Sequence, residues 1–556
     1  MRQTTLSVTL EVQPESASRL SDLINALRNE EENPPPGYAE KYGRLKASVP
    51  TLHFMSISIF SSADYDPLFV IEANFDGSPG VFWAQLQAAL GPQLRDMLRY
   101  CKKPLNKDGP LYLAVTAPGS SRPLAPYLEA RTLRPSAFHQ GNRGLTRDRI
   151  LREGELFRAT QIELAQPDPV KPNPYRHLTA EGIHAALRAA MTPAFPWLDE
   201  PAAARISPFE RAGDILRLLG FLLVVLVILS LPGIVVASIA PWPRFLLLFG
   251  AMAAAIYLLL YLMRAPPAGR EVPTRSGGLT PASLSTENKP TSLANPMTLA
   301  AVAVTLLALY ILVVALIATG LAVPLIGRPF DELWRPTLRV IALGLLSGLF
   351  FTLPALVLWL RWLEQRDASH DSPPIDPDLL REMAQHEDRV AQNHMGSIVL
   401  VKPGILRMAL VRAGHLGLGL VVRVVATDGY LGSMRTIHFA HWAFVNNGSR
   451  LMFFSNFDNS WESYLDDFIE KAHGGLTLAW SSGVGFPPTR FLVLDGASHG
   501  RQFKAWARHS MAVSHFWFSA YKDYTVNQIE RQARIADGLR KAALTPEEAA
   551  LWARDL

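Results

Sequence analysis

The sequence predicts an α+β protein with membrane helices, in which two units of β-α-β-β-α-β order flank four transmembrane segments. Three observations lead to this prediction. The middle of the 556-residue chain contains four long apolar runs. The parts before and after those runs alternate strand-like and helix-like patterns in the same order. Short motifs also recur in both parts at similar spacing, as expected for an internal repeat.

Composition narrows the class of protein. Hydrophobic residues make up 49% of the chain and charged residues 19%, a balance more apolar than that of most soluble enzymes. The net charge of +5 is small for this length, and no basic run carries interleaved aromatic residues, which argues against a nucleic-acid partner. The single cysteine, Cys101, excludes an internal disulfide. The first residues lack the apolar core of a signal peptide.

Each of the four apolar runs is long enough to cross about 30 Å of hydrocarbon as a helix. The runs are Leu218 to Ala240, Phe245 to Met263, Met297 to Gly327 and Val340 to Leu360. None of them contains Asp, Glu, Lys, Arg or His. Because transporters and proton pathways usually carry ionisable groups inside the membrane, the uncharged runs favour anchorage over transport. Pro232 and Pro354 are expected to kink their helices.

The distribution of basic residues predicts the orientation in the membrane. Nine Lys and Arg residues lie near the span ends on the side of the termini, and four lie on the other side. Basic residues accumulate on the cytoplasmic side of membrane proteins. We therefore expect a multi-pass protein of the cell (inner) membrane, with both terminal parts in the cytoplasm and the lipid bilayer as a partner. No pattern indicates the oligomeric state.

Motifs recur in the two parts that flank the apolar runs. The matched strings are Thr51-Leu52-His53-Phe54 with Thr436-Ile437-His438-Phe439, and Asn74-Phe75-Asp76 with Asn456-Phe457-Asp458. A serine follows each Asp at the same spacing, as Ser78 and as Ser460. Because order and spacing agree together, we interpret the two parts as a duplication.

The patterns of the two parts predict the same series of elements. Strands are expected at Thr5 to Val12, His53 to Phe60, Leu68 to Ala73 and Leu111 to Thr116, and again at Ser397 to Val401, Thr436 to Val445, Arg450 to Ser455 and Ser514 to Ser519. Helices are expected at Glu15 to Asn29 and Pro79 to Leu90, and again at Ile405 to Ala426 and Trp461 to Lys471. This β-α-β-β-α-β order is that of the ferredoxin-like unit, and two such units in one chain can pair their sheets as a pseudo-dimer.

The predicted domain boundaries follow from these elements. Residues 1–205 form the first ferredoxin-like unit with an extension, and residues 396–556 form the second with C-terminal helices. Between them lie a transmembrane hairpin at 213–264, a flexible linker at 265–296, a second hairpin at 297–363 and a linker or helix at 370–395. The linker at 265–296 is rich in Pro, Ser, Thr and Gly. Thr525-Val526-Asn527-Gln528 and Thr545-Pro546-Glu547-Glu548 are typical of helix starts.

Four strings of the second part, TIHFAHW, SNFDNSWESYLDDFI, WSSGVGFPPTR and FWFSAYKDYTVNQI, carry a resemblance. They resemble a family of largely uncharacterised bacterial membrane-associated proteins over about residues 393–539. More distantly, a tandem of ferredoxin-like units resembles the dimeric α/β-barrel group, which includes dye-decolorising haem peroxidases and small monooxygenases. That resemblance implies an oxidoreductase, peroxidase-like or monooxygenase-like, if the chain is an enzyme; it makes haem a candidate cofactor and leaves the cofactor open. The Gly-x-x-Asp-Gly motif of those peroxidases is matched in part by Ala73 to Gly77.

His438, Asp458 and His515 are the candidate catalytic residues, as acid/base groups or members of a haem site. His438 and His441 are three residues apart in a strand, so their side chains point to opposite faces and cannot hold one metal ion without a bulge. No metal site is predicted. The favoured interpretation of His438 is nevertheless a buried, hydrogen-bonded histidine. For Asp458 the favoured interpretation is that it binds free backbone N–H groups at the start of a helix.

The second part also accumulates aromatic and polar residues that a helix cap does not explain. The candidate ligand-pocket residues are Trp442, Asn456, Trp461, Tyr464, Trp480, Phe486 and Tyr521. An aromatic pocket with a few polar groups is the usual form of a small-molecule site. The alternative is that these residues form an aromatic core.

Three functions follow as hypotheses. The first is a membrane-anchored, cytoplasmic-facing protein whose two units form a pocket for an apolar small molecule, with peroxidase-like or monooxygenase-like redox chemistry if it is an enzyme. The second is a non-enzymatic membrane scaffold or partner-binding module. The third is a carrier of a hydrophobic solute that uses the four spans.

Overall fold

A computed structural model of the chain describes residues 3–33, 38, 40–62, 65–165, 173–201, 204–264, 296–367, 375–425 and 435–556. The strands are β1 Gln3–Glu11, β2 Leu52–Phe60, β3 Leu68–Asp76, β4 Thr132–Leu133, β5 Ala137–Gln140, β6 Gln392–Leu400, β7 Ile437–Val445, β8 Arg450–Asp458, β9 Thr489–Arg490, β10 Leu494–Asp495, β11 Met511–Ala512 and β12 Phe516–Ser519.

The helices are distributed over the whole described chain. They are α1 Ala17–Glu32, α2 Gly43–Ser48, α3 Pro79–Leu98, α4 Gly109–Thr116, α5 Ala125–Ala130, α6 Arg147–Ala165, α7 Ala180–Met191, α8 Pro208–Ile239, α9 Trp242–Leu262, α10 Pro296–Ile326, α11 Phe330–Ser347, α12 Leu353–Gln365, α13 Pro377–His386, α14 Ile405–Val425, α15 Trp461–Trp480, α16 Gly500–Ser510, α17 Val526–Arg540 and α18 Pro546–Trp552.

Two antiparallel sheets of five strands form the centre of the soluble part. The first has the order β12-β2-β3-β1-β4, and the second has the order β5-β7-β8-β6-β11. The two orders correspond strand by strand, because β1, β2 and β3 take the places of β6, β7 and β8. The correspondence includes one irregularity, since the pairing register shifts at His53 in the first sheet and at His438 in the second.

Each sheet receives its last strand from the other part of the chain. Strand β12 pairs with β2, with Ser519 opposite Phe54, and strand β5 pairs with β7, with Gln140 opposite Phe439. Nearly all side chains of β2 and β7 are buried on both faces, so both edges that receive the added strands lie inside the protein. The exchange therefore satisfies backbone groups that would otherwise be unpaired at a buried edge.

The two sheets also face each other. Phe60 of the first sheet lies against Phe454 of the second with 5.9 Å between ring centroids. Gly396 permits this approach, because a Cβ at that position would lie 2.4 Å from the Phe454 ring and 2.9 Å from the Phe60 ring. The outer face of the first sheet packs on α1 and α3, and the outer face of the second packs on α15 and α16.

Five described helices are long and apolar enough to cross a membrane. Four of them coincide with the predicted spans: α8, α9, α10 and the continuous helix Phe330–Gln365, which contains α11 and α12. A π-helical turn at residues 348–352 lies just before Pro354, where a kink is expected. The fifth is α14, which packs on β5 and α8 and carries Arg407, Arg412 and Arg423.

Ion pairs join the ends of these helices to the sheets. Asp214 of α8 is 2% exposed and accepts hydrogen bonds from Arg143, at 2.6 Å, and from Arg423, at 2.9 Å. Arg143 follows the exchanged strand β5, and Arg423 ends α14. The Asp214 carboxylate therefore ties one apolar helix to both parts of the soluble region.

A second junction lies at the end of α12. The Glu364 carboxylate accepts the backbone N–H groups of Phe491 and Leu492 at 3.0 Å, and both of these residues have positive φ. Arg361, which is 1% exposed, pairs with Glu364 at 3.1 Å and donates to the Thr489 carbonyl. The strained turn between β9 and β10 is thus held by a charged pair on an apolar helix.

The structure confirms most predicted elements and corrects one. The predicted strand Leu111 to Thr116 is wrong, because this segment is helix α4, which begins after Asp108 with Gly109 and Pro110. A short apolar run fits either element, and Pro near a helix start favours the helix. Both predicted capping boxes, at Thr525 and Thr545, are present. The linker at 265–296 lies outside the described residues except for Pro296, as do residues 370–374 of the second linker.

The start of the loop after β5 requires a glycine. A Cβ on Gly141 would lie 2.1 Å from the Ile437 carbonyl oxygen. We predict that G141A detaches β5 from β7 and lowers the free energy of unfolding by about 2 kcal/mol or more. Thermal unfolding of the full chain in detergent measures this loss. The matched control is G475A on α15, where no atom lies within 4 Å of the added Cβ. Equal losses in the two variants would contradict the prediction.

Candidate functional site

A cavity of about 700 Å³ opens beside β12. Its walls come from both parts of the chain: α1, the start of α2 and α6 on one side, and the end of α13, the start of β6 and residues 511–524 on the other. Most of the lining side chains are polar or charged. The cavity therefore offers polar and charged groups to an occupant, together with apolar surface from residues such as Met383 and Met511.

His394 of β6 is one of the residues that line the cavity, and its side chain, which is 2% exposed, lies in the space between the sheets. Its Nδ1 is 2.6 Å from the Ser514 hydroxyl. Its ring stacks on Phe454 and on Trp517, with centroid distances of 5.6 and 6.4 Å. Its Nε2 finds no hydrogen-bond partner among the described residues and lies 3.9 Å from the Glu72 carboxylate.

Glu72 lies behind His394, fully buried between the two sheets. Ser56 donates a hydrogen bond to it at 3.3 Å, and the Asn74 amide donates another. Burial raises the pKa of Glu72 to about 8, and these hydrogen bonds lower it only in part. The carboxyl is therefore mainly protonated at neutral pH and can donate a proton to a neighbouring acceptor.

The histidines around Glu72 are held neutral. Burial lowers the pKa of His394 and of His441 to about 3, and that of His139 to about 4. His441 Nε2 lies 2.9 Å from the hydroxyl of Ser7 in the opposite sheet. The space between the sheets is thus polar on this side but carries no net charge at neutral pH, because both the acid and the bases are in their neutral forms.

The candidate catalytic residues His438 and Asp458 form a buried pair. His438 Nε2 lies 2.8 Å from Asp458 Oδ1, and both side chains are at most 2% exposed. The other oxygen of Asp458 accepts the backbone N–H of Val526 at 2.8 Å. Asp458 therefore bonds the start of α17, whereas Ser460 caps α15, the helix that directly follows it.

His53 and Asp76 repeat this arrangement in the first sheet. His53 Nε2 lies 3.0 Å from Asp76 Oδ2, an ion-pair contact without hydrogen-bond alignment. Asp76 Oδ2 accepts the backbone N–H of Arg147 at 2.8 Å, at the start of α6. Since α6 and α17 each follow an exchanged strand, both Asp residues fix the chain at the point where it leaves the other sheet.

The two pairs differ in the environment of the second histidine nitrogen. His53 Nδ1 lies 2.7 Å from the hydroxyl of Tyr521, a residue that also lines the cavity. His438 Nδ1 is buried and has no hydrogen-bond partner among the described residues. Tyr521 is therefore the one predicted site residue that connects the cavity wall to a His–Asp pair.

The remaining predicted residues lie in three places. Trp442, Trp461, Tyr464, Trp480 and Phe486 are buried in the core between the second sheet and its helices. Asn456 is buried between the sheets, where its Oδ1 accepts the Trp517 indole N–H at 2.9 Å. His515 is partly buried beside the cavity, and burial and Arg28 lower its pKa to about 4.

All of the predicted aromatic positions except Tyr521 therefore pack in an aromatic core, as the alternative interpretation predicted. The register shift at His438 means that His438 and His441 need not face opposite sides of the sheet. Within the described chain, however, no group of three His, Cys, Asp or Glu residues could hold a metal ion. His438 does not fit an axial haem ligand, because its Nε2 bonds Asp458 and its side chain does not line the cavity.

Sequence reasoning missed Glu72, His394 and the cavity itself. Glu72 is an acidic residue in the run Leu68 to Ala73, which otherwise reads as a fully buried strand, and this was a usable signal. His394 precedes the predicted strand by three residues and had no local signal. The cavity depends on elements that meet only in the folded chain.

Comparison with known proteins gives no further identification. No family model, no curated protein and no solved structure matches the chain.

The buried pair at His438 should contribute to stability. We predict that D458N lowers the free energy of unfolding by about 1–3 kcal/mol, because it leaves His438 and the start of α17 with poorer partners. Denaturation of the full chain measures the loss. D467N is the control, since Asp467 forms only a surface pair with Lys471, and its effect should stay within about 0.5 kcal/mol. A D458N protein as stable as the control would contradict a structural role for the pair.

Glu72 should make stability depend on pH. Its pKa in the folded protein, about 8, exceeds the ordinary value of 4.5. The free energy of unfolding therefore falls as the pH rises between these two values. The lowered histidine pKa values act in the opposite sense. They destabilise the folded protein as the pH falls below about 6.5. We predict that E72Q gains in melting temperature over the wild type as the pH rises from 5 to 8.

The comparison of E72Q with the wild type cancels the histidine contributions. E15Q, at an exposed position, should keep the wild-type pH profile. A constant difference between E72Q and the wild type across this range would show that Glu72 is ionised in the folded protein at all these values.

Proposed function

We propose that this chain is a membrane-anchored protein that binds a polar small molecule in the cavity beside β12. The observation that carries the proposal is the cavity itself, which is lined by side chains from both parts of the chain and lies beside the buried pair of His394 and protonated Glu72. This pair places two neutral groups of opposite chemistry, one acid and one base, next to the cavity and marks it as a candidate site.

The proposal includes the architecture predicted from the sequence. We propose that the two parts are ferredoxin-like units that arose by duplication and pair as in the dimeric α/β-barrel group. The equal strand orders and the matched register shifts at His53 and His438 support it. The apolar helices support membrane anchorage, and the basic residues at their ends favour the cytoplasmic side of the inner membrane for both units.

The chemistry of the cavity revises the expected ligand. A pocket for an apolar molecule was expected from the aromatic residues of the second part, but those residues pack in the core. Most of the lining side chains are polar or charged, with apolar surface between them, so we propose an occupant that carries a polar group. Redox chemistry remains a prediction from the resemblance.

Identification of a bound molecule tests the proposal. Full-length protein is purified in native lipid, denatured, and its small-molecule fraction analysed by mass spectrometry. We expect a polar molecule that is retained by the wild type and reduced about tenfold in H394A, because the His394 ring stacks on Trp517 and bonds Ser514, and both of these residues line the cavity. H177A is the control, since His177 is exposed and distant from the lining residues.

Two results would contradict the proposal. One is a molecule retained equally by H394A and H177A, which would place the occupant elsewhere. The other is an empty wild-type protein that also binds none of a panel of polar metabolites by calorimetry. A Soret absorbance band in the purified protein would instead identify haem as the occupant and support the redox hypothesis.

A further inference from the structure

One end of the cavity collects basic side chains from separate elements. Arg28 comes from α1, His386 from the end of α13, and Arg389 from the segment before β6. His515 lies beside them, and its carbonyl oxygen accepts a hydrogen bond from Arg28 at 3.4 Å. Burial, and next to it the charges of Arg28 and Arg389, lower the pKa of His386, which shows that these groups act on one another.

Arg28 and Arg389 differ in their partners from two other charged groups of the cavity. Lys46 pairs with Glu40 at 2.5 Å, and Glu387 pairs with Arg508, at 2.8 Å through one of its oxygens. Within the part of the chain that the structure describes, neither Arg28 nor Arg389 forms an ion pair. An anion bound between the two arginines would interact favourably with both charges, because no described carboxylate lies within ion-pair distance of either.

The nearest acidic groups do not fill this role. Glu32 lines the cavity but accepts a long hydrogen bond of 3.5 Å from the Tyr42 hydroxyl. Glu382 is the one carboxylate that acts on His386, and its side chain is exposed on α13. The other end of the cavity is mixed in sign, because Arg158, Glu155 and Asp523 surround Tyr524. Arg28 and Arg389 are thus the two arginines that lie around His386.

We infer that the cavity binds a molecule with an anionic group, a carboxylate or a phosphate, held between Arg28, His386 and Arg389. The inference rests on the proposed function, because it names the class of the ligand in the same cavity. Guanidinium groups bind both kinds of oxyanion through paired N–H donors, and a neutral histidine adds one more donor. The anionic group lies at the basic end, and the rest of the molecule extends toward Trp517 and His394.

Calorimetric titration of the full-length protein in nanodiscs of neutral phosphatidylcholine tests the inference. The probes are sodium benzoate, inorganic phosphate and benzamide, at constant ionic strength set with chloride. Benzamide has the shape of benzoate without its charge. We expect at least one of the two anions to bind about tenfold more tightly than benzamide. The anion that binds shows whether the site prefers a carboxylate or a phosphate.

Variants locate the anion. R28Q and R389Q should each weaken the preferred anion about tenfold and leave benzamide affinity within about twofold. R19Q is the matched control, because Arg19 lies on α1, is exposed and does not line the cavity. Melting temperatures of the variants show that they fold, and R28K, which keeps the charge, should retain part of the affinity.

The outcomes separate the two proposals. Benzamide binding as tight as benzoate and phosphate, abolished by H394A, would overturn the anion inference and leave the cavity as a binding site. Anion binding that is unchanged in R28Q and R389Q would also overturn it, by placing the anion elsewhere. Absence of binding for all three probes would count against both the inference and the proposed function.

Discussion

Strand β12 completes the first sheet and strand β5 completes the second, so neither sheet is whole without residues from the other part of the chain. Each exchanged strand leads into a helix whose first backbone N–H is bound by an Asp, and each Asp contacts a histidine at the matched register shift. The turn between sheet and helix is thereby fixed inside the protein. The facing of the two sheets and the buried polar space between them depend on these two crossings.

The cavity is a consequence of the same crossing. After β11 pairs with β6 in the second sheet, the chain leaves that sheet and joins β2 in the first. The gap that this transfer opens is lined by His394 on one side and by residues of α1 on the other. At the equivalent crossing from β4 to β5, the helix α14 packs on β5, and its His415 lies 2.9 Å from Ser136 and so covers the strand. The two crossings are alike in backbone, and they differ in what covers them.

Local patterns predicted the elements well and their partners poorly. The repeated Asn-Phe-Asp-x-Ser string marked both strand-to-helix junctions, and the cap at Ser460 is present. Asp458 was expected to bond a nearby helix start, and it bonds the more distant start of α17, because only the folded chain brings Val526 beside it. Strand β5 is four residues long and lies at an edge, and alternation alone cannot assign such a strand to a sheet. The cavity could not be predicted for the same reason, because Arg28 is separated in sequence from Arg389 and His515 by hundreds of residues.

The exchange also imposes an order on biosynthesis. At about 5–20 residues per second, the ribosome needs roughly 20–75 s to make the chain between β5 and β12. During that interval the edge of β2 has no partner, and the apolar helices enter the membrane. An unpaired apolar edge is a template for wrong pairing. The nascent first half must therefore remain soluble until its closing strand emerges, so the speed of translation, as well as the final free energy, sets the yield of folded protein.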